Sequence, residues 1–239
     1  MRPLLYEEIQ CLESQHCTAV CWDDVMVSED FSPASISNTH FSGKVYLGTF
    51  QKTFTLPGGL VKHAGIHDAT LHNCRVGNDV LIEHIHNYIA NYIIEDGCFI
   101  QDVNVLYVEG KSTFGNNVEV SVLNETGGRE VPIYNELSAP LAYVIALYRH
   151  RPVLIEQLRD MIREYAEKQA SKYGRIGRCV RIMNAGTIRN VNIGEYATIE
   201  NTTRLENGTI SSNEKAPVYV GNSVIAEDFI LSSGAVLAD

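Results

Sequence analysis

The sequence predicts a mainly β chain, wound as a coil of short strands and interrupted once by two helices. Three observations predict it. Between Val76 and Leu106 an aliphatic residue returns every six positions, at Val76, Ile82, Ile94, Ile100 and Leu106, with Tyr88 in the one gap. The spacing returns at Thr187, Ile193, Ile199 and Leu205 and continues in three units from Val220 to Leu237. Residues 135–173, between the two runs, carry a helical pattern instead. A helix repeats near 3.6 residues and a half-buried strand at 2, so a sustained six means short strands joined by corners at a fixed interval. Bend-forming residues follow several repeat positions, as in Glu95-Asp96-Gly97 and Gln101-Asp102.

Units such as Val220-Gly221-Asn222-Ser223-Val224-Ile225 resemble the hexapeptide repeats of the left-handed parallel β-helix family, and Phe114-Gly115-Asn116-Asn117-Val118-Glu119 matches after a two-residue slip. The resemblance implies a left-handed parallel β-helix with an N-terminal helix and an inserted α-helical hairpin, three hexapeptides making one triangular turn. The chain then divides into an N-terminal capping helix at 1–17, a first β-helix part at 18–134, a helical hairpin at 135–175 and a second β-helix part at 176–239.

Taken in order, residues 3–15 read as a short helix with Pro3 in its first turn, Glu7 and Glu8 near its positive end, and Leu5, Ile9 and Leu12 on one face. Such a helix serves as a lid, because an open coil end exposes unpaired backbone and apolar interior. Residues 18–50 hold short apolar pieces between Ser, Asn and Pro turns and read as irregular first coils. Five of the eight histidines then fall between Lys62 and Asn87, at spacings that match no zinc motif. If one turn is eighteen residues, His86 stacks between Asp68 and Asn104 and points inward, while His84 sits at an outward corner under Asp102. A carboxylate beside an imidazole fixes its tautomer for proton abstraction. The alternative is that these histidines satisfy turn carbonyls.

Residues 107–113 interrupt the repeat and predict a protruding loop. The polar segment Asn124-Glu125-Thr126-Gly127-Gly128-Arg129-Glu130 follows. Its paired glycines let backbone N–H groups approach an anion, and Arg129 could add a bidentate contact, although a plain hairpin turn is the competing reading. Ser138, Ala139 and Pro140 open an apolar helix that ends at Arg149-His150-Arg151-Pro152, and an amphipathic helix runs on to Gly174. The first helix is apolar nearly all round, which predicts burial against the second helix and against the coil or another subunit. After Arg175 the coil resumes to Asp239 without a cap, from which a longer natural protein or a covering subunit is expected.

The net charge of −10 argues against general nucleic-acid or anionic-membrane binding. No signal peptide and no membrane-length apolar run is visible, so a cytoplasmic location is expected. The six cysteines form no Cys-x-x-Cys pair, and Cys74 and Cys98 fall where a small buried residue is wanted. No metal is expected.

The repeat is similar to two bacterial groups, the acyl-CoA-dependent hexapeptide acyltransferases and the C-terminal β-helices of sugar-phosphate nucleotidyltransferases. The order of N-terminal helix with Cys17 and Trp22, coil, Asn124–Glu130 segment and helical pair also resembles an uncharacterised bacterial family with sugar-nucleotidyltransferase-like labels. The acyltransferase resemblance implies a trimer, acetyl-CoA or another acyl-CoA as donor, and a histidine that takes a proton from a sugar hydroxyl or amine. His84 with Asp102 matches that role by type and setting, with His86, Asn124, Glu125, Gly127, Gly128 and Arg129 as candidate contacts to a phosphorylated or nucleotide-linked sugar. A non-catalytic scaffold or carbohydrate-binding module is the alternative. A nucleotidyltransferase reading needs a Gly-rich triphosphate loop, and nothing between Met1 and Val45 supplies it.

Overall fold

Ile36, Ile66, Ile82, Ile100, Ile182 and Ile199 follow one another in register down a single parallel ladder. A second ladder carries Phe41, Leu71, Ile89, Leu106, Ile188 and Leu205. A third carries Val27, Leu47, Val76, Ile94, Ile176, Ile193 and Ile210. All of these side chains are buried in one apolar core. Complete burial of such an aliphatic side chain contributes about 1.5–3 kcal/mol. The computed structural model describes residues 1–122 and 127–238. Among them the chain is mainly β, with one mixed sheet of 18 strands. Its pairings are parallel except where Arg2–Pro3 runs antiparallel to Val25–Val27.

Corners between the first and second ladders fall at Asn38, Asp68, His84, Asp102, Asn184 and Asn201, all with φ between 46° and 55°. That left-handed backbone costs most L-residues roughly 1–2 kcal/mol, and Asn and Asp visit it routinely because the short polar side chain bonds locally. The side chains also bond down the column, as in Asn38 Nδ2 to Asp68 Oδ1 at 2.6 Å and Asn184 Nδ2 to Asn201 Oδ1 at 3.1 Å.

The step between neighbours in a ladder is not uniform. Ile66 pairs with Ile82 after sixteen residues, whereas Ile82 pairs with Ile100 after eighteen. Tyr88, which fills the gap in the sixfold pattern, is 41% exposed, and Ile89 takes the interior place. In the later run Ile188 rather than Thr187 lies inside. Cys74 and Cys98 are buried in the core.

The N-terminal helix α1 spans Tyr6–Ser14, shorter than the 3–15 reading, because Arg2 and Pro3 are extended and pair with Val27 and Met26. Leu12 is its buried anchor, while Leu5 is exposed. Arg2 closes on the Glu8 carboxylate with bonds of 2.8 and 2.7 Å and holds that carboxyl below its ordinary range. An antiparallel hairpin, Thr53–Thr55 with Val61–His63, folds over the first ladder. Phe54 packs edge-on against Phe99 with centroids 5.4 Å apart, and Lys62 reaches Glu83 and Gln101.

Of residues 107–113 only Glu109, Gly110 and Lys111 are exposed, so the expected loop is confined to that tip. Val108, Ser112 and Phe114 are buried, and the Phe114 carbonyl accepts from Thr209 Oγ1 at 2.7 Å. The segment from Phe114 to Glu119 also makes no further step of a parallel ladder. Val118–Ser121 instead pairs antiparallel with Glu130–Ile133, because left-handed Phe114, Gly115 and Asn117 turn the chain away from the stack. Helices α2 (Ala139–Leu147) and α3 (Pro152–Gln169) pack on this hairpin around Val131, Tyr134, Ile145, Ala146 and Ile162, a core separate from that of the ladders. Ser138 Oγ caps α2 by accepting from the Leu141 N–H at 3.4 Å. Only one side of α2 is covered: Tyr143 and Tyr148 are exposed. Paired hydrogen bonds of 2.9 Å between Ser112 and Ser171 close the neck of the excursion. Gly174 then re-enters against Tyr92, where an added Cβ would meet the ring at 2.4 Å. Among the described residues no helix is long and apolar enough to cross a membrane.

Candidate functional site

The corner column brings Asp68, His84 and Asp102 into one line. Each follows a paired position, since His67 pairs with Glu83 and Glu83 with Gln101. His84 Nε2 lies 3.4 Å from Asp68 Oδ2, and Nδ1 lies 3.4 Å from Asp102 Oδ1. The two carboxylates are steadied from behind, Asp68 by Asn38 and Asp102 by Gln101 Nε2 at 2.6 Å. Glu83 Oε1 stands 3.9 Å from His84 Nε2. His84 and Asp68 keep 46% of their side-chain surface and Asp102 keeps 33%, so a ligand can reach all three.

Asp68 also lines an open cleft of about 360 Å³ that contains His16, Thr18, His40, His86 and Asn87. Its walls are mainly polar. Thr18 Oγ1 and His40 Nδ1 are 2.8 Å apart. The same hydroxyl–imidazole contact recurs at Ser37 with His67, 2.9 Å, and at Ser42 with His72, 3.0 Å. Three copies on neighbouring ladder positions make it a packing habit of the stack rather than one nucleophile with its base. Burial pushes the His67 imidazole below its ordinary value, against the opposing pull of Glu83 and Asp68.

His84 and Asp102 are therefore adjacent, as their spacing predicts. The stacking inferred for His86 is corrected. The sixteen-residue step places Asp68 against His84, turns Ile85 inward and leaves His86 exposed on the cleft rim. Asn104 bonds to Asn87 at 2.7 Å. Lys62 reaches Glu83 and Gln101 through the hairpin fold-back, which no sixfold pattern encodes.

Asn124 and Glu125 lie outside the described residues. Gly127, Gly128 and Arg129 lead into the Glu130–Ile133 strand, which is tied to α3 through Arg159, whose Nη2 bonds the Glu130 carbonyl at 2.9 Å. His84 takes its partners from the corner column instead, so the two groups are built on different elements. The Gly128 N–H donates to the Glu130 carboxylate at 2.6 Å, which uses a donor the glycine pair would offer an anion; the Glu130 backbone N–H first, and Gly128 second, hold that carboxyl below its ordinary range. Arg129 is exposed. Among the described residues no group of three or more His, Cys, Asp or Glu side chains is arranged to hold a metal ion.

A family model described as a domain of unknown function, DUF4954, matches residues 1–239. An uncharacterized protein of Treponema pallidum (strain Nichols) is 26% identical over 246 residues, covering 98% of the chain and 34% of the relative. The chain spans about a third of that relative's length.

Proposed function

The chain belongs to the DUF4954 family, and we propose from the arrangement of its own residues that it is a left-handed parallel β-helix that transfers an acyl group from an acyl-CoA to a phosphorylated or nucleotide-linked sugar, with His84 as the base. The observation that carries the reading is the imidazole held between Asp68 and Asp102 at an accessible corner. Asp102 faces Nδ1 and sets the tautomer, so that Nε2 is the atom that takes the proton. An acceptor hydroxyl entering from the cleft displaces the Asp68 contact and gives its proton to Nε2. Its oxygen bonds to the thioester carbonyl carbon, the carbon–sulfur bond breaks, and the CoA thiolate leaves with the proton returned from His84. The handedness departs from the right-handed rule for parallel crossovers; the sixfold period and the column of left-handed corners support it. We read it as a cytoplasmic homotrimer; the uncovered apolar side of α2 supports contact with another copy.

The test is release of free thiol from acetyl-CoA, followed with a panel of sugar phosphates and nucleotide sugars. Acceptor-dependent thiol release is expected. No release with any acyl-CoA tried would favour a second reading, a non-catalytic scaffold or carbohydrate-binding module. One observation favours that alternative: three further occupants of the same corner column, Asn38, Asn184 and Asn201, share the backbone conformation of His84 without any such chemistry.

A further inference from the structure

The outward face of the third ladder carries Tyr46, Arg75, Ile93 and Arg175 in that order, each paired in register with the next. Neighbouring strands are about 4.8 Å apart, so the column spans about 14 Å. Two adjoining cavities, of about 320 and 630 Å³, share Arg75 and Ile93. At the smaller end Tyr46 and Tyr173 face the space, with Lys44 beside them. At the larger end stand Arg175 and Arg178.

The charges there are unevenly satisfied. Arg175 is paired with Glu95, and Arg178 holds Glu195 through bonds of 3.2 and 3.0 Å. The third acid of the cavity, Asp96, accepts from the Asn78 N–H at 2.6 Å. Arg75 and Lys44 make no side-chain ion pair or hydrogen bond to any described residue. A chain with net charge −10 thus keeps one uncompensated cation, Arg75, at the junction of an aromatic-lined space and a polar one, and a second, Lys44, within the aromatic-lined space.

We infer that this groove is a nucleoside diphosphate site. The base stacks on the tyrosines, Ile93 packs the sugar, and the phosphates bridge Arg75 and Lys44, with a guanidinium offering a planar bidentate fork to phosphate oxygens. Aromatic faces accept any base, so the site selects the ring and the charge more than the identity of the base. The short span and the acidic surroundings exclude a polymer. The site lies on the third ladder, away from the corner of the first two that holds His84, and it requires no acyl transfer.

Titration calorimetry of the free protein at 150 mM salt with ADP, adenosine and inorganic phosphate separates the parts. ADP is expected to bind at least tenfold more tightly than adenosine or phosphate alone. Arg75→Gln and Tyr46→Ala are each expected to weaken ADP by tenfold or more. Both side chains point away from the core, and an unchanged melting temperature checks that the variants fold. Absence of ADP binding, equal binding by Arg75→Gln, or phosphate binding as tightly as ADP would each overturn the inference. Because binding is read directly, loss of this site and loss of acyl transfer are told apart.

Discussion

Ile94 pairs in register with Ile176 in the third ladder, although a hairpin and two helices lie between them in the chain. In the first ladder Ile100 likewise pairs with Ile182. The stack is continuous across the excursion, and each part has its own apolar core.

Separate cores predict separable melting. Ile162→Ala empties the centre of the helical core and should cost that unit about 2–5 kcal/mol. Helical circular dichroism should therefore be lost at a lower temperature, while fluorescence of Trp22, which packs on Phe41 with centroids 6.2 Å apart, keeps its transition. Coincident loss of both signals would show one cooperative unit.

The sixfold pattern predicts which aliphatic residues matter. Ile82→Ala should destabilise by about 2–5 kcal/mol, and Tyr88→Ala, at an exposed position, by about 1 kcal/mol or less. Denaturant midpoints measure the contrast. Equal effects would mean that the interior has been misplaced.

Tyr92 is fully buried, and its hydroxyl donates to the Val191 carbonyl at 2.8 Å across the stack. Tyr92→Phe leaves that carbonyl without its partner and should cost about 1–3 kcal/mol. An unchanged denaturant midpoint would contradict the assignment.

Val76, Ile82, Ile94, Ile100 and Leu106 were legible as interior because each corner admits a residue that bends, and the period survives where turns keep their length. It fails where a turn shortens. The step from Ile66 to Ile82 moves the partner of Asp68 from His86 to His84, and one residue of slip puts Ile89 inside in place of Tyr88. The helical pair was legible from its periodicity and from Ser138 and Pro140. The hairpin that brings Lys62 to Glu83 was not, because its contacts depend on a chain reversal at Pro57–Gly59 whose direction no local pattern specifies.

Burial of His67 predicts a pH dependence of stability. Burial lowers its folded value below the unfolded one, so on acidification the unfolded chain takes up this proton first. Its contribution is intact above the unfolded value near pH 6.5 and is lost as pH falls through the folded value. Glu83 and Asp68 oppose the shift, and His63 and His84 add to it. His67→Gln should therefore lose less stability than the wild type between pH 7.5 and 5. Parallel stability profiles would contradict it.

The proposal that His84 is the base is tested most directly by the rate of acceptor-dependent thiol release from acetyl-CoA in His84→Asn. Asn tolerates the left-handed corner that His84 occupies at φ 53°, so the variant should fold with an unchanged melting temperature. The predicted result is a fall in rate of about 10²–10⁴-fold, the usual worth of a positioned base. A folded His84→Asn that turns over at the wild-type rate would contradict it.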